Sequence, residues 1–255
     1  MKLATWNVNS LKVRLPQVID WLQTNQPDML CLQETKLSDE NFPAAEIAAI
    51  GYESVFIGQK TYNGVAILSK QKGSEIITAI PGFEDEQKRV VAATYGDVRV
   101  ISVYVPNGDT AESEKYQYKL RWLPALTGWL KQELKDHQKL AILGDFNIAP
   151  EDRDVYDPQL WQGKVLCSQP ERAAFGDLLQ LGLTDSFRLF EQAEKSYTWW
   201  DYRMMAFRLN RGLRIDHILL SNALASVCTS CTVDKAIRKL ERPSDHAPVV
   251  AELTA

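Results

Sequence analysis

Short apolar runs recur along the chain, and they constrain its fold more than any other feature. KLATW, DMLCLQ, GVAILS, RVVAAT, VRVISVYV, KLAILG, LRIDHILLS and APVVAEL are each of strand length, rich in β-branched residues, and mostly closed by polar or turn residues. Helical patterns lie between them. In 15–24, LPQVIDWLQT sets Val18, Ile19, Trp21 and Leu22 on one side. In 114–135, Leu120, Leu123, Leu126, Leu130 and Leu134 recur at spacings of three and four. PERAAFGDLLQL (170–181) carries a proline in its first turn. Strands outnumber helices, and the order is mixed rather than strictly alternating. That predicts an α/β fold of two packed β-sheets with helices outside. With 45% hydrophobic residues and no linker-like or repeated segment, residues 1–255 read as a single domain.

No segment approaches the ~20 apolar residues of a membrane span, and MKLATWNVNS is too short an apolar stretch for a signal peptide. A cytoplasmic protein without a membrane partner is the expectation. Cys31, Cys167, Cys228 and Cys231 read as reduced thiols. CTSC (228–231) has a C-x-x-C spacing, but no second pair completes a zinc site. The net charge of −4 weighs against a nucleic-acid partner, although a local basic face is compatible with an acidic body.

Polar residues collect where the strands end. Asn7 and Asn9 follow KLATW, Glu34 follows DMLCLQ, and VRVISVY closes on Tyr104 with Asn107 beyond. Asp145 and Asn147 follow KLAILG, Asp216 lies within LRIDHILL, and Asp245 and His246 precede APVVAEL. Turn chemistry alone explains Asn9 or Asp109. It explains Asp216 poorly, because a buried carboxylate needs a partner, and Glu34 poorly, because Glu is a weak turn former. Strand ends that converge on one rim are where sites are built. In RPSDHAP (242–248), prolines and Ser244 shape a turn around the Asp-His pair. Of the other histidines, His137 lies at a solvated helix end. Strand alternation turns His217 to the face opposite Asp216.

TWNVNSL (5–11), LQETK (32–36), GDFNIAP (144–150), LRIDHILLS (213–221) and RPSDHAP, in that order, resemble the exonuclease III type of apurinic/apyrimidinic endonucleases. GQKTYNGVAILS (58–69) and YTWWDYR (197–203) extend the resemblance over nearly the whole chain. These enzymes belong to the endonuclease/exonuclease/phosphatase superfamily, and the resemblance implies its DNase I-like α/β fold, a four-layer sandwich of two packed mixed β-sheets flanked by helices, in a single catalytic domain over 1–255. The resemblance implies a Mg²⁺-dependent DNA-repair phosphodiesterase, with Mn²⁺ as substitute. It would cut 5′ to abasic sites, or strip nucleotides and blocking groups from 3′ ends. Its partner would be double-stranded DNA with an abasic site, a nick or a blocked 3′ end, and a monomer is expected. Glu34 would be the principal metal ligand, helped by Asn7 and Asp245; hard cations take such oxygens. Asp145 and Asn147 would place or activate water. His246, oriented by Asp216, would contact the phosphate or act as base. Tyr104 would touch the phosphate or assist the leaving oxygen, and Asn107 would add a polar contact.

RMMAFRLNRGLR (203–214) holds four arginines and no acid. It reads either as a solvated loop or as a DNA-facing one, with Arg203, Arg208 and Arg211 on phosphates and Met204, Met205 or Phe207 in the groove. The resemblance adds an apolar sugar pocket of Trp199, Leu213 and Ile215, and a backbone-contacting loop with Gln59, Lys60, Tyr62 and Asn63. In KVLCSQPER (164–172) the chain departs from the family pattern, with Leu166 where a small Ser or Gly is usual. A leucine there would crowd an internal strand and favour 3′-end cleaning, unless it packs inward without effect. Two rivals stand beside this reading: a superfamily phosphodiesterase acting on inositol phosphates or lipids, and a DNA-binding module without catalysis.

Overall fold

The computed structural model describes residues 1–254. Twelve strands run β1 (Lys2–Asn7), β2 (Met29–Gln33), β3 (Glu53–Ile57), β4 (Val65–Ser69), β5 (Ser74–Ile77), β6 (Val90–Tyr95), β7 (Val98–Tyr104), β8 (Lys139–Asp145), β9 (Leu183–Asp185), β10 (Asp216–Ser221), β11 (Cys228–Val233) and β12 (Val249–Leu253). The helices are α1 (Leu11–Asn25), α2 (Ala44–Ala48), α3 (Glu114–Asp136), α4 (Pro158–Trp161), α5 (Gln169–Gln180) and α6 (Asn222–Ala225). The strands form two six-stranded mixed sheets, ordered β11-β12-β1-β2-β4-β3 and β5-β6-β7-β8-β10-β9. Each sheet has one parallel pair, β1–β2 and β7–β8, bridged by α1 and α3 respectively. Parallel neighbours need such a crossover.

Strand alternation builds the layers. Leu3, Cys31, Ile67, Val100, Leu143, Ile218 and Ala251 point between the sheets. Ala4, Leu30 and Leu68 face outward onto Val18, Trp21 and Leu22 of α1. Ile101, Leu140, Ile142 and Leu219 face Trp122, Leu126 and Leu130 of α3 and Phe175 of α5. The eight apolar runs correspond to the eight interior strands. The four strands they omit, β3, β5, β9 and β11, are the four sheet edges. An edge strand covers less of both faces, and these show only partial burial or just three residues, so no continuous apolar run marks them. The CTSC segment is one such edge, and its thiols are free.

α1 starts at Leu11, ahead of the expected 15, and accommodates Pro16 within it. Its entry is tied down by Ser10 and Leu11 amides donating to the Glu34 and Thr35 carbonyls at 2.8 and 3.0 Å. α3 buries two charges that the leucine pattern does not reveal, Lys119 and Glu133. No described helix is long and apolar enough to cross a membrane.

Candidate active site

The inward-facing rows continue to one rim of the sandwich and turn polar there. Asn7 continues Leu3 and Thr5; Tyr104 continues Val100 and Ser102; Asp145 continues Ala141 and Leu143; Asp216 precedes Ile218. Register places Tyr104 and Asp216 on either side of Asp145. Just below, Thr5, Gln33 and Ser102 join the sheets through 3.2 Å hydrogen bonds. The sheets therefore meet through polar contacts at the mouth and apolar ones beneath.

Asn7 bridges the two sheets. Its Nδ2 donates to Glu34 Oε1 at 2.9 Å and Asp145 Oδ2 at 2.8 Å. Glu34 sits just beyond β2 with φ of 51°, and its carboxylate also faces Lys36 Nζ at 3.0 Å. Asp145 Oδ1 accepts the Asn147 amide at 2.9 Å, and Asn147 has φ of 49°. Asn147 Nδ2 donates to Val105 O, while its Oδ1 accepts Asn107 Nδ2 at 3.0 Å. Left-handed backbone at non-glycine residues is costly and collects at functional sites.

His246 lies between two aspartates. Its Nδ1 is 2.9 Å from Asp216 Oδ2, and its Nε2 is 3.8 Å from Asp145 Oδ2. The turn that carries it is fixed by Ser244 Oγ donating to Asn7 O and accepting the His246 amide. Burial alone would depress the imidazole, but Asp216 and Asp145 outweigh it and push the pKa up to about 10. His246 is thus a cation at neutral pH. Burial raises the Asp145 carboxyl to about 7 against the pull of His246. Burial, with the Glu34 and Asp145 charges, holds the Tyr104 phenol well above its ordinary value, so it stays a neutral donor.

Ligand atoms of Glu34, Asp145 and His246 lie within 4.8 Å of one another. A protonated His246 is no ligand, so the oxygens of Glu34 and Asp145 are the donors that suit a divalent cation, and they are hard oxygens of the kind such ions take. Asp245 lies outside this group. It lines the same cleft, but its oxygens accept Asn9 Nδ2 and Trp199 Nε1, each at 3.0 Å.

The cleft holds about 310 Å³ and is walled on one side by Trp161, Val165, Leu166, Trp199 and Ile215. Leu213 is fully buried behind that wall, paired to Trp199. A groove leads away past Tyr104 and Asn107 to Tyr62, Asn63 and Arg89. Asn63 Nδ2 is held by Gln59. Lys60 is not part of that groove; it borders a separate depression with Lys12 and Lys36.

In the loop after Trp200, Arg203, Arg208 and Arg211 are exposed and line neither cavity. Met204 and Met205 are 78% and 62% exposed. Other residues of that run turn inward, Ala206 and Leu213 among them. Arg214 is buried against Asp154 and Asp185, and Phe207 packs edge-on to Trp200 at 5.1 Å. His217 faces away from the cleft, against Phe146 and Phe175, and His137 caps the C-terminus of α3.

Sequence reasoning missed Trp161, Arg89 and Lys119. Arg89 sits 4.7 Å over the Tyr104 ring and donates to its carbonyl. A charge opening an apolar run, KRVVAAT, was the one signal for Arg89. Trp161 had none, because its short helix α4 has no repeating face.

The Endonuclease/Exonuclease/phosphatase family model matches residues 4–246. The chain is 38% identical to exodeoxyribonuclease III of Haemophilus influenzae over 265 residues, covering 99% of each. Its structure matches that of the 3′ phosphatase NExo from Neisseria bound to product DNA hairpin, with a TM-score of 0.99, 51% identity and all of both chains covered. It also matches an AP endonuclease from Archaeoglobus fulgidus, with a TM-score of 0.96 and 39% identity over all of both chains.

Proposed function

The chain belongs to the Endonuclease/Exonuclease/phosphatase family, and we propose that it is a Mg²⁺-dependent DNA-repair phosphodiesterase that works chiefly on blocked 3′ ends. The carrying observation is the gathering on one rim of a half-buried Glu34 with buried Asp145, Asp216 and His246, Asn7 joining Glu34 to Asp145 and His246 lying between the two aspartates. Glu34 would supply the principal carboxylate for the cation, which supplies charge stabilisation at the phosphate and an acidified water. His246, kept cationic by Asp216, hydrogen-bonds a nonbridging phosphate oxygen and offsets the charge that gathers there. Asp145, with its carboxyl near neutrality and its orientation set by Asn147, accepts the proton of the attacking water. The neutral phenol of Tyr104 donates to the phosphate or to the leaving oxygen.

The preference for 3′ ends rests on the apolar wall. Leu166 and Trp161 narrow the cleft where an internal strand has to continue, whereas a terminus needs less room. The similarity to the Neisseria protein, a 3′ phosphatase bound to product DNA, supports the same reading. The test offers three substrates with Mg²⁺: a nicked duplex ending in a 3′-phosphate, a duplex with an internal abasic site, and an inositol phosphate. The expected order is 3′-phosphate release first, abasic nicking second and no inositol-phosphate turnover. Dominant release from the inositol phosphate would overturn the reading.

A further inference from the structure

Lys119 and Glu171 form an ion pair that is wholly buried, yet every bond the lysine makes runs to the cleft or to its wall. Lys119 Nζ donates to Asn147 O at 2.7 Å, to Asn107 O at 3.1 Å and to Glu171 Oε1. An ammonium has three donors, and all three are used. Glu171 is the third residue of α5 and closes a capping box with Ser168. Its Oε2 accepts the Ser168 amide and hydroxyl at 3.1 and 2.6 Å, and its Oε1 accepts the Leu166 amide at 3.0 Å. One carboxylate oxygen is therefore shared between the amide of Leu166 and the lysine that grips Asn147. Leu166 O in turn accepts the Ala149 amide at 2.8 Å, which closes the ring back to the Asn147 segment.

Both ends of this ring are strained. Asn147 has φ of 49° and Leu166 of 75°. A leucine persists in that region only where its surroundings over-determine it. Gly108 admits the lysine to the 107–109 turn. A Cβ there would come within 3.1 Å of Val165, 3.3 Å of Tyr116 and 3.4 Å of Lys119. A net gain in stability is weak ground for the pair, because buried ion pairs are often replaced by apolar residues without loss. The pair does something else: Lys119 satisfies the carbonyls of Asn107 and Asn147 while Glu171 satisfies the amides of Leu166 and Ser168, buried groups that are costly to leave unpaired.

We propose that Lys119 and Glu171 are positioning residues that hold Asn147 and the Leu166 wall as one unit, so that the choice between a 3′ end and an internal abasic site depends on a pair that touches no substrate. The substrate half of this inference rests on the function proposed above; the mechanical half does not.

The test uses the full chain with two changes: Glu171→Gln, which keeps shape and removes charge, and the neutral double variant Lys119→Met/Glu171→Met. Thermal melting establishes that each folds. Kinetics on the 3′-phosphate and internal abasic duplexes should show the ratio of their kcat/KM values moving at least about tenfold, with kcat changing more than KM. Hydrogen exchange should speed up together in 145–149 and 164–168 and stay unchanged in β7 and β10. A constant ratio with parallel losses would make the pair merely structural. Faster exchange in only one of the two segments, or in neither, would overturn the coupling. If the wild type cleaves neither DNA, the functional reading fails and the exchange result alone decides the mechanical claim.

Discussion

Asp145 and Asp216 stand directly opposite each other across the β8–β10 pairing, and His246 is held between their carboxylates. Two like charges are kept at one buried place by a cation between them. This arrangement sets the charge of the site: burial works against the Asp145 carboxylate, and the His246 charge works for it. The protons of Asp145 and His246 are consequently gained and lost as a pair.

Asp216→Asn removes the larger of the two attractions that hold His246 charged. The alkaline limb of the kcat/KM profile for 3′-phosphate release should move down by at least about one pH unit, and the rate at neutral pH should fall about 10²-fold. A pH–rate profile of wild type and variant checks this. An alkaline limb that does not move would show that Asp216 does not set the His246 charge.

Chelation should abolish hydrolysis. Glu34→Ala should raise the metal concentration needed for half-maximal rate, because it removes a carboxylate oxygen from the converging group. Asp145→Ala and His246→Ala should each lose about 10³-fold in kcat while far-UV circular dichroism stays native. Undiminished activity of Asp145→Ala would sink the mechanism.

Arg203, Arg208 and Arg211 are exposed beside two exposed methionines, with no acid between Arg203 and Arg214. If they meet phosphates, replacing all three with Gln should weaken duplex binding. The slope of log K against log salt should then flatten by roughly 0.9 for each phosphate no longer neutralised. Binding isotherms over a salt series measure it, and an unchanged slope returns the loop to a merely solvated role.

Leu166 lines the cleft from a left-handed backbone that glycine adopts freely. Leu166→Gly should relieve a clash of ~1–3 kcal/mol for an internal strand, raising abasic nicking about tenfold or more with 3′-phosphate release little changed. Parallel changes on both substrates would remove the steric explanation.

His217 differs from His246 in electrostatics as it does in direction. It packs between Phe146 and Phe175 with Nε2 on Ile148 O at 2.9 Å and Nδ1 facing the Arg214 guanidinium at 3.0 Å. Burial, with Arg214 beside it, pushes its pKa down to about 4. The folded value lies below the ordinary 6.5, so the unfolded chain binds the extra proton first as pH drops. The stability it contributes is whole above 6.5 and is lost as pH falls through 4. From about pH 6.5 to about pH 5 this amounts to about 2 kcal/mol. Urea unfolding at about pH 5 and about pH 7 should show a smaller difference for His217→Gln than for wild type; equal differences would contradict a neutral buried His217.

What the linear chain determined by itself is the interior of each sheet and the polar residues at its ends. A strand flanked on both sides by other strands and covered on both faces has to be apolar throughout, so eight of them are legible as runs. Asn7, Glu34, Tyr104, Asp145 and Asp216 are legible because a polar group that interrupts or closes such a run needs a partner. Two kinds of information are not local. Edge strands lose that continuous signal because they are less covered, and β3, β5, β9 and β11 became strands only by pairing with an interior neighbour. Burial of charge is the other. Nothing in the neighbourhood of Lys119 or Arg214 distinguishes it from a solvated cation. Each is buried because residues dozens of positions away, Glu171 for one and Asp154 with Asp185 for the other, supply the opposite charge once the chain has folded. The tertiary structure likewise decided that Trp161 and Leu166 stand in the cleft while Phe207 does not. A side chain's direction on a loop follows from what packs behind it, and only the folded chain specifies that.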